Sequence, residues 1–288
     1  MKLIKAYYSI LNQIKSITND EIESRAETDL IFGSNYFKKY HGTALNVIDI
    51  FGKYSDLPIK NNIILKLEKI IEKRSKGVPI QYILDEAWFF GHKFHVYIDN
   101  KRKTLIPRNE TEMIVTKLIK DLKKTPNKFA LDIGTGSCNI PISTILNSKN
   151  NIYFDAIDPY TFEIAKKNIS NYKLNQFINL YKYKIEDLSK IITKKYDYIT
   201  ANLPYISNKE KIDELKFEPD EALYAKQDGH YFIKILIELL PKIIKKNGIA
   251  LIEIDPKHTN FLKSKSSLRV IFHKDYNNLE RLAEINIK

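Results

Sequence analysis

The feature that most constrains the fold of this 288-residue chain is an alternation of strand-like and helix-like segments after residue 105. Short β-branched and aromatic runs predict strands, and longer runs with apolar residues every three or four positions predict helices. Such an alternation is typical of an α/β domain with a doubly wound, mostly parallel sheet. Two strand-like runs within 268–287 add an antiparallel edge. The other predicted strands are 129–135, 152–158, 178–185, 196–202 and 249–255, and the predicted helices are 110–124, 138–148, 161–173 and 229–248.

The first 85 residues show helical periodicity and no strand signal. One predicted helix carries a single apolar stripe, formed by Ile63, Ile64, Leu67, Ile70 and Ile71. The aromatic run that follows, with Gly91 at its centre, predicts a β-hairpin of residues 87–90 and 93–98. The sequence therefore predicts a small helical bundle (1–85), a linking β-hairpin (86–104) and an α/β domain (105–288).

Charge and cysteine content bear on location and partners. A formal net charge of +12 is compatible with nucleic-acid contact, but the lysines are scattered along the chain. We attribute the charge mainly to compositional bias and keep direct nucleic-acid binding as the less favoured alternative. Cys138 is the only cysteine, and no apolar run reaches the length of a membrane span. These features predict a cytoplasmic protein that does not associate with membranes.

A glycine-containing turn after the first strand of the α/β domain suggests a cofactor site. It contains Asp132, Gly134, Thr135 and Gly136, and glycine lets the backbone approach a ligand closely. A dinucleotide fingerprint would need a third glycine where Asn139 stands, so pyrophosphate binding is weakly supported. The Asp-x-Gly-x-Gly form suits S-adenosylmethionine instead, because Asp132 can accept a hydrogen bond from its ammonium group.

Two further acidic residues follow the next two strands. Asp158 ends the second strand and can accept hydrogen bonds from both hydroxyls of a ribose, while Asp187 can accept one from an adenine amino group. Taken singly, each is better explained as a turn or helix-capping residue. Their recurrence at successive strand ends predicts an S-adenosylmethionine site, and no metal site is predicted.

The fourth strand ends in Asn202-Leu203-Pro204-Tyr205. An amide nitrogen is a poor nucleophile because its lone pair is delocalised, so it must be aligned with the methyl group that it attacks. The Asn202 side-chain oxygen and the Leu203 carbonyl can accept hydrogen bonds from the two N–H groups of such a substrate amide. Pro204 stiffens the corner, and Tyr205 offers a flat surface to a planar substrate. Alone the tetrapeptide is an ordinary strand end, but after a methyl-donor site it predicts methyl transfer to a planar amide or amine.

On these motifs the sequence resembles the HemK/PrmC family of release factor glutamine methyltransferases. The segments GVPIQYILDEAWFFGHKFHV, LIPRNETEMIV, FEPDEAL, DGHYF and KDYNNLERLAEI are similar to the family's motifs and occur in the same order. The resemblance implies a Rossmann-like methyltransferase fold with a seven-stranded sheet. It also implies an enzyme that uses S-adenosylmethionine to methylate the side-chain N5 of glutamine in the Gly-Gly-Gln motif of class I peptide chain release factors.

The resemblance also implies roles for individual residues. Asn202 to Tyr205 match the family's catalytic Asn-Pro-Pro-Tyr, and the donor-site residues match those derived above. Arg108, Glu110 and Thr111 are implied to lie at the mouth of the active site. A charged cap of helix 110–124 is the alternative structural interpretation of Arg108 and Glu110, and it is compatible with that role. Residues 1–85 are implied to recognise the release factor.

Three residues depart from the family pattern. Leu203 replaces the first proline of Asn-Pro-Pro-Tyr, which loosens the corner but keeps the carbonyl acceptor. Cys138 replaces a glycine, and we expect its Cβ to crowd the start of the helix or the cofactor. Asn109 replaces a proline and can cap a helix.

Two other functions remain open. Adenine methyltransferases of rRNA or DNA carry similar tetrapeptides, but the rRNA enzymes place extra helices after the donor domain, and this chain places about 100 residues before it. A non-catalytic S-adenosylmethionine-binding protein is supported only by the substitutions at Leu203 and Cys138.

Overall fold

The structure, a computed structural model, describes residues 1–42, 45–122 and 127–288 and divides them into two compact units. Unit 1 is Met1–Glu86 and unit 2 is Ala87–Lys288. Among the described helices, none combines the length and the hydropathy that a bilayer span requires.

Unit 1 is built from helices around one apolar core. Its helices are α1 (Leu3–Thr18), α2 (Glu21–Gly33), α3 (Asn35–His41), α4 (Val47–Phe51), α5 (Asn61–Ser75) and α6 (Ile80–Leu84). The predicted apolar stripe lies on α5, where Ile63, Leu67 and Ile70 are buried and Ile64 and Ile71 pack partly buried against the same core. The periodicity of apolar residues thus predicted this face correctly.

Unit 2 contains a large sheet, its covering helices and three short strand pairs. Its strands are β1 (Ala87–Phe89), β2 (His92–Phe94), β3 (Tyr97–Asp99), β4 (Arg102–Lys103), β5 (Lys128–Ile133), β6 (Ile152–Ile157), β7 (Ile178–Tyr181), β8 (Tyr196–Ala201), β9 (Ile206–Ser207), β10 (Tyr224–Ala225), β11 (Ile244–Glu253), β12 (Leu268–Lys274) and β13 (Glu280–Ile287). Its helices are α7 (Glu112–Leu122), α8 (Asn139–Asn147), α9 (Phe162–Asn171), α10 (Leu188–Ile191), α11 (Asp220–Leu223), α12 (Tyr231–Ile243) and α13 (His258–Lys263), with 3₁₀ turns at Asn109–Thr111, Ile185–Asp187 and Asp213–Leu215.

The central sheet confirms the predicted fold class. Seven strands pair in the order β12-β13-β11-β8-β5-β6-β7, and the last five are parallel. The predicted terminal hairpin, β12 and β13, forms the antiparallel edge. Apolar clusters cover both faces, since Ala130 packs in one and its neighbour Leu131 in the other.

Strand register brings the ends of several strands together. Ile133 pairs with Ile157 and with Ala201, and Ala201 pairs with Ile252. Residues that follow β5, β6 and β8, together with Glu253 at the end of β11, therefore emerge at one edge of the sheet.

Two predicted boundaries in the sheet region were wrong. The helix predicted for 229–248 ends at Ile243, because Pro241 lacks an N–H for helical bonding and Ile244 already pairs with Tyr196 in β11. The strand predicted for 178–185 ends at Tyr181, since β7 is an edge strand and the next three residues are exposed.

Two predicted boundaries near the start of unit 2 also changed. The hairpin forms as β1 and β2, while Tyr97–Asp99 pairs with β4 instead of extending β2. The helix predicted for 110–124 begins with a 3₁₀ turn and becomes α-helical at Glu112. Its predicted residues 123 and 124 lie outside the described residues.

Candidate active site

A cavity of about 280 Å³ opens at the carboxyl ends of β5, β6 and β8. This is the edge at which open α/β sheets bind ligands. The cavity brings together residues that are far apart in sequence and were predicted as site residues. Those that line it are Arg108, Thr111, Gly134, Thr135, Gly136, Asp158, Asn202, Leu203 and Pro204.

The glycine turn after β5 forms one wall of this cavity. Gly134 and Gly136 have left-handed backbones, with φ of 72° and 56°. A Cβ at Gly136 would lie 2.9 Å from the Thr104 hydroxyl oxygen. The Gly136 N–H donates to the Asp158 carboxylate over 3.1 Å, which ties the turn to the end of β6.

Asp132 lies beneath the cavity, not in its wall. It is 1% exposed, and one carboxylate oxygen accepts a hydrogen bond from the Thr200 hydroxyl at 2.6 Å. Its other oxygen and the cavity-lining Thr135 hydroxyl form no hydrogen bond of normal geometry among the described residues, although Thr135 lies close enough to lower the pKa of Asp132 against the effect of burial. Burial raises the pKa of Asp132 to about 6.

Of the two other predicted acids, only Asp158 borders the main cavity. One of its oxygens accepts hydrogen bonds from the backbone N–H groups of Tyr160 and Thr161 at 2.8 and 3.0 Å, which fixes the carboxylate in place. Asp187 instead lines an adjoining pocket. Ile185 and Glu186 take the corresponding place in the main cavity, and the sequence reasoning did not select them.

The tetrapeptide after β8 stands between two cavities. Asn202 and Pro204 line the main cavity and also an adjoining cavity of about 110 Å³. Tyr205 borders only the smaller of the two. The Asn202 side-chain N–H donates to the Thr111 hydroxyl at 3.0 Å. The Asn202 side-chain oxygen is therefore left to accept hydrogen bonds from a substrate.

A buried carboxylate that sequence reasoning missed completes this corner. Glu253 lines the smaller cavity and accepts hydrogen bonds from the hydroxyls of Thr111 at 2.5 Å and Tyr205 at 3.3 Å. Its signal in the sequence is a charged residue at the end of the buried strand IALIE, a pattern like that of Asp132 and Asp158.

Arg108 borders both cavities, whereas Glu110 borders neither of the two. Arg108 forms an ion pair with Glu218, a buried carboxylate that also accepts a hydrogen bond from the Ile106 N–H at 3.1 Å. Glu218 belongs to the segment FEPDEAL, but sequence reasoning gave it no role. It holds the Arg108 side chain at the junction of the cavities.

The three departures from the family pattern have separate outcomes. Leu203 is buried, and its Cδ2 lies 3.1 Å from the position of a Cβ on Gly134, so the corner packs against the glycine turn. Cys138 takes a left-handed backbone (φ 64°) at the N-cap of α8 and packs in the apolar core, and it is not among the residues that line the cavity. Asn109 opens a 3₁₀ turn and is not its N-cap.

The cavity fits S-adenosylmethionine. The turn of Gly134, Thr135 and Gly136 forms one wall with little side-chain bulk, and Asp158 presents a fixed acceptor beside it. These are the residues that would hold the sugar and the amino-acid part of the donor.

Replacing Gly136 by alanine is expected to weaken S-adenosylmethionine binding about tenfold. The left-handed backbone costs a non-glycine residue roughly 1–2 kcal/mol, and the new Cβ meets Thr104. Isothermal titration calorimetry measures the change. Gly91→Ala is the control, because Gly91 has a similar φ of 77° and nothing within 4 Å of its Cβ position. Equal dissociation constants for both variants and the wild type would contradict the role of this turn.

The ionisation of Glu253 is expected to lower the free energy of unfolding as the pH rises. Burial and the nearby Glu110 raise its pKa to about 7 from an ordinary 4.5, although bonds from Thr111 and Tyr205 and the charge of Arg281 oppose the shift. The folded state then binds a proton that the unfolded state releases, so stability is lost between pH 4.5 and pH 7. Glu253→Gln is expected to be more stable than wild type by about 3 kcal/mol above pH 7 and equal to it near pH 4.5.

Chemical unfolding at about pH 5 and about pH 8 tests this expectation. Glu284→Gln is the matched control, since His273 and Lys117 lower the pKa of Glu284 despite its partial burial. That variant should lose stability at the higher pH. A Glu253→Gln variant that is less stable than wild type at about pH 8 would contradict the assignment.

Comparisons with known proteins agree with this geometry. The family model for ribosomal protein L11 methyltransferase (PrmA) matches residues 109–206. A release factor glutamine methyltransferase of Mycoplasma mycoides subsp. mycoides is 30% identical over 285 residues, covering 95% of this chain and 96% of the relative. One of Dictyoglomus turgidum is 32% identical over 231 residues, covering 76% and 79%. A crystal structure of the hMettl16 catalytic domain with the MAT2A 3′UTR hairpin 6 shares the fold, with a TM-score of 0.51, 15% identity and coverage of 88% and 97%.

The fold and the cavity define a Rossmann-like, S-adenosylmethionine-dependent methyltransferase. S-adenosylmethionine is the methyl donor of this class. By its similarity to curated relatives along nearly its whole length, the chain belongs to the release factor glutamine methyltransferase family.

Proposed function

We propose that this enzyme methylates the side-chain N5 of the glutamine in the Gly-Gly-Gln motif of class I peptide chain release factors. The observation that carries the proposal is the position of Asn202 and Pro204 in the walls of both the donor cavity and the smaller cavity. A planar carboxamide in the smaller cavity would face the donor across this corner. The relatives' names supply the class of substrate.

The residues of the corner account for the chemistry. Bound S-adenosylmethionine supplies an electrophilic methyl group. The Asn202 side-chain oxygen and the Leu203 carbonyl accept the two N–H groups of the substrate amide, which aims its nitrogen and favours positive charge on it. Arg108 lies at the junction of the cavities with its charge offset by the ion pair with Glu218. The proton can leave after methyl transfer, so this scheme needs no strong general base.

Unit 1 supplies the second part of the proposal, the recognition of the release factor by residues 1–85. Its surface carries an exposed aromatic pair, Tyr8 and Phe51, whose rings meet edge to face at 5.7 Å. Ile48, one helical turn before Phe51, is 83% exposed. Apolar groups exposed together suit contact with a protein. Because release factors act in translation, we place the activity in the cytoplasm.

Incubation of the purified enzyme with labelled S-adenosylmethionine and a class I release factor tests the proposal. Mass spectrometry is expected to find one methyl group on the glutamine of the Gly-Gly-Gln peptide. A release factor with that glutamine replaced by asparagine is the control and should remain unmodified. Label on rRNA or DNA in place of the protein would support an adenine methyltransferase. Binding of S-adenosylmethionine without transfer to any of these would support a non-catalytic protein.

A further inference from the structure

Asn202, Thr111 and Glu253 form a continuous chain of buried hydrogen bonds behind the proposed acceptor. The Asn202 side-chain N–H donates to the Thr111 hydroxyl, and that hydroxyl donates to Glu253. Thr111 is 2% exposed and Glu253 is 5% exposed. Three different elements supply these residues, namely the loop after β8, the 3₁₀ turn before α7 and the end of β11.

The direction of this chain follows from the chemistry of its members. An ionised carboxylate, the form of Glu253 above about pH 7, only accepts hydrogen bonds, and a threonine hydroxyl has a single proton to donate. Because the Thr111 hydroxyl donates its one proton to Glu253, it can only accept a hydrogen bond from Asn202. The amino end of the Asn202 carboxamide must then face Thr111, and its oxygen must face away from it.

Glu253 is itself held at both oxygens. One accepts the bond from Thr111, and the other accepts a bond from the Tyr205 hydroxyl. Strand register adds to this, since Ala201 pairs with Ile252 and therefore sets Asn202 and Glu253 side by side. A carboxylate with two donors on neighbouring elements cannot rotate freely, so it is a rigid end for the chain.

We propose that Thr111 and Glu253 are positioning residues that fix the orientation of the Asn202 carboxamide. They present its oxygen, and not its amino group, to the substrate amide. Without them the carboxamide can rotate by half a turn. Its amino group would then face the substrate N–H groups, from which its oxygen should accept hydrogen bonds. The inference rests on the proposed function for its substrate, while the orientation of Asn202 is a property of the enzyme alone.

Steady-state kinetics on the release factor and S-adenosylmethionine at about pH 8, where Glu253 is ionised, test the role in turnover. Thr111→Val keeps the shape and removes the hydroxyl, and is expected to lower kcat about 10²-fold with little change in KM for S-adenosylmethionine. Thr111→Ser keeps the hydroxyl and should restore most of the activity. In an Asn202→Ala background, Thr111→Val should have no further effect. Additive losses, or no rescue by serine, would overturn the inference.

Glu253→Gln provides a test that does not depend on the folding of Thr111→Val. An amide at 253 can donate or accept, so it no longer sets the direction of the chain. The variant is expected to be about tenfold slower than wild type and yet more stable above pH 7. A slower and less stable variant would mean that Glu253 is only structural and would overturn the positioning role.

Nuclear magnetic resonance of the full-length enzyme separates this inference from the proposed function. The Asn202 side-chain N–H groups are identified by their loss in Asn202→Ala, and exposed Asn175 is the reference. Exchange with solvent at Asn202 is expected to be at least about tenfold slower than at Asn175, and to become fast in Thr111→Val. Fast exchange in the wild type would overturn the inference. A wild type with slow exchange that leaves the release factor unmodified would refute the proposed function alone.

Discussion

Asn202→Ala is expected to lower kcat for release factor methylation by about 10²–10³-fold, the cost of removing one preorganised hydrogen-bonding group from a transition state. The substitution deletes the side-chain acceptor and leaves the Leu203 carbonyl alone to hold the substrate nitrogen. It also removes the group that donates a hydrogen bond to the Thr111 hydroxyl. Binding of S-adenosylmethionine should change little, because the glycine turn and Asp158 form a different wall of the cavity.

Two measurements separate catalysis from binding in this variant. Single-turnover methylation of the release factor reports the chemical step, and calorimetry reports the dissociation constant of S-adenosylmethionine. Asn175→Ala, which removes an exposed carboxamide from the same unit, is the control and should match the wild type in both. Equal losses of binding and turnover in Asn202→Ala would show that Asn202 mainly holds the donor.

Much of the fold was predictable because its signals are local. The alternation of strand and helix, the glycine turn and the polar residues at strand ends all depend on neighbours in sequence. In a parallel sheet the ends of successive strands meet at one edge, so Gly134, Asp158 and Asn202 could be placed in one site before their contacts were known. The positions of β5, β6 and β8 agree with this reasoning.

Contacts between distant residues could not be predicted in this way. The bond between Thr111 and Glu253 joins residues 142 positions apart, and the ion pair of Arg108 with Glu218 joins residues 110 apart. In neither pair does the sequence around one residue indicate which distant residue it contacts. The start of β11 at Ile244 was missed for a similar reason, because its pairing with Tyr196 overrides the helical periodicity of the residues before it.

Gly229→Ala is expected to damage both stability and turnover. A Cβ at Gly229 would lie 2.0 Å from the backbone oxygen of Tyr205, a clash that must shift one of the two segments. The loop cannot move easily, because the Gly229 carbonyl accepts a hydrogen bond from His258 at 3.1 Å. Burial lowers the pKa of His258 to about 4, so its ring is neutral, and its Nδ1 accepts from the Asp255 N–H, which leaves Nε2 as the donor. Displacement of Tyr205 by about 1 Å would disturb Asn202 and lower turnover about 10²-fold.

Gly91→Ala is the control that separates the effect of the steric clash from the energy cost of a left-handed backbone. Gly91 and Gly229 have similar φ, 77° and 83°, but only Gly229 has atoms close to its Cβ position. Both variants should lose the roughly 1–2 kcal/mol of a left-handed residue, and Gly229→Ala should lose a further 1–3 kcal/mol from overpacking. Urea unfolding and methylation assays on both variants measure the difference. If Gly229→Ala matched Gly91→Ala in stability and in turnover, the loop at Gly229 would not support Tyr205. The fixed positions of Tyr205 and Glu253 would then depend on Thr111 and β11 alone.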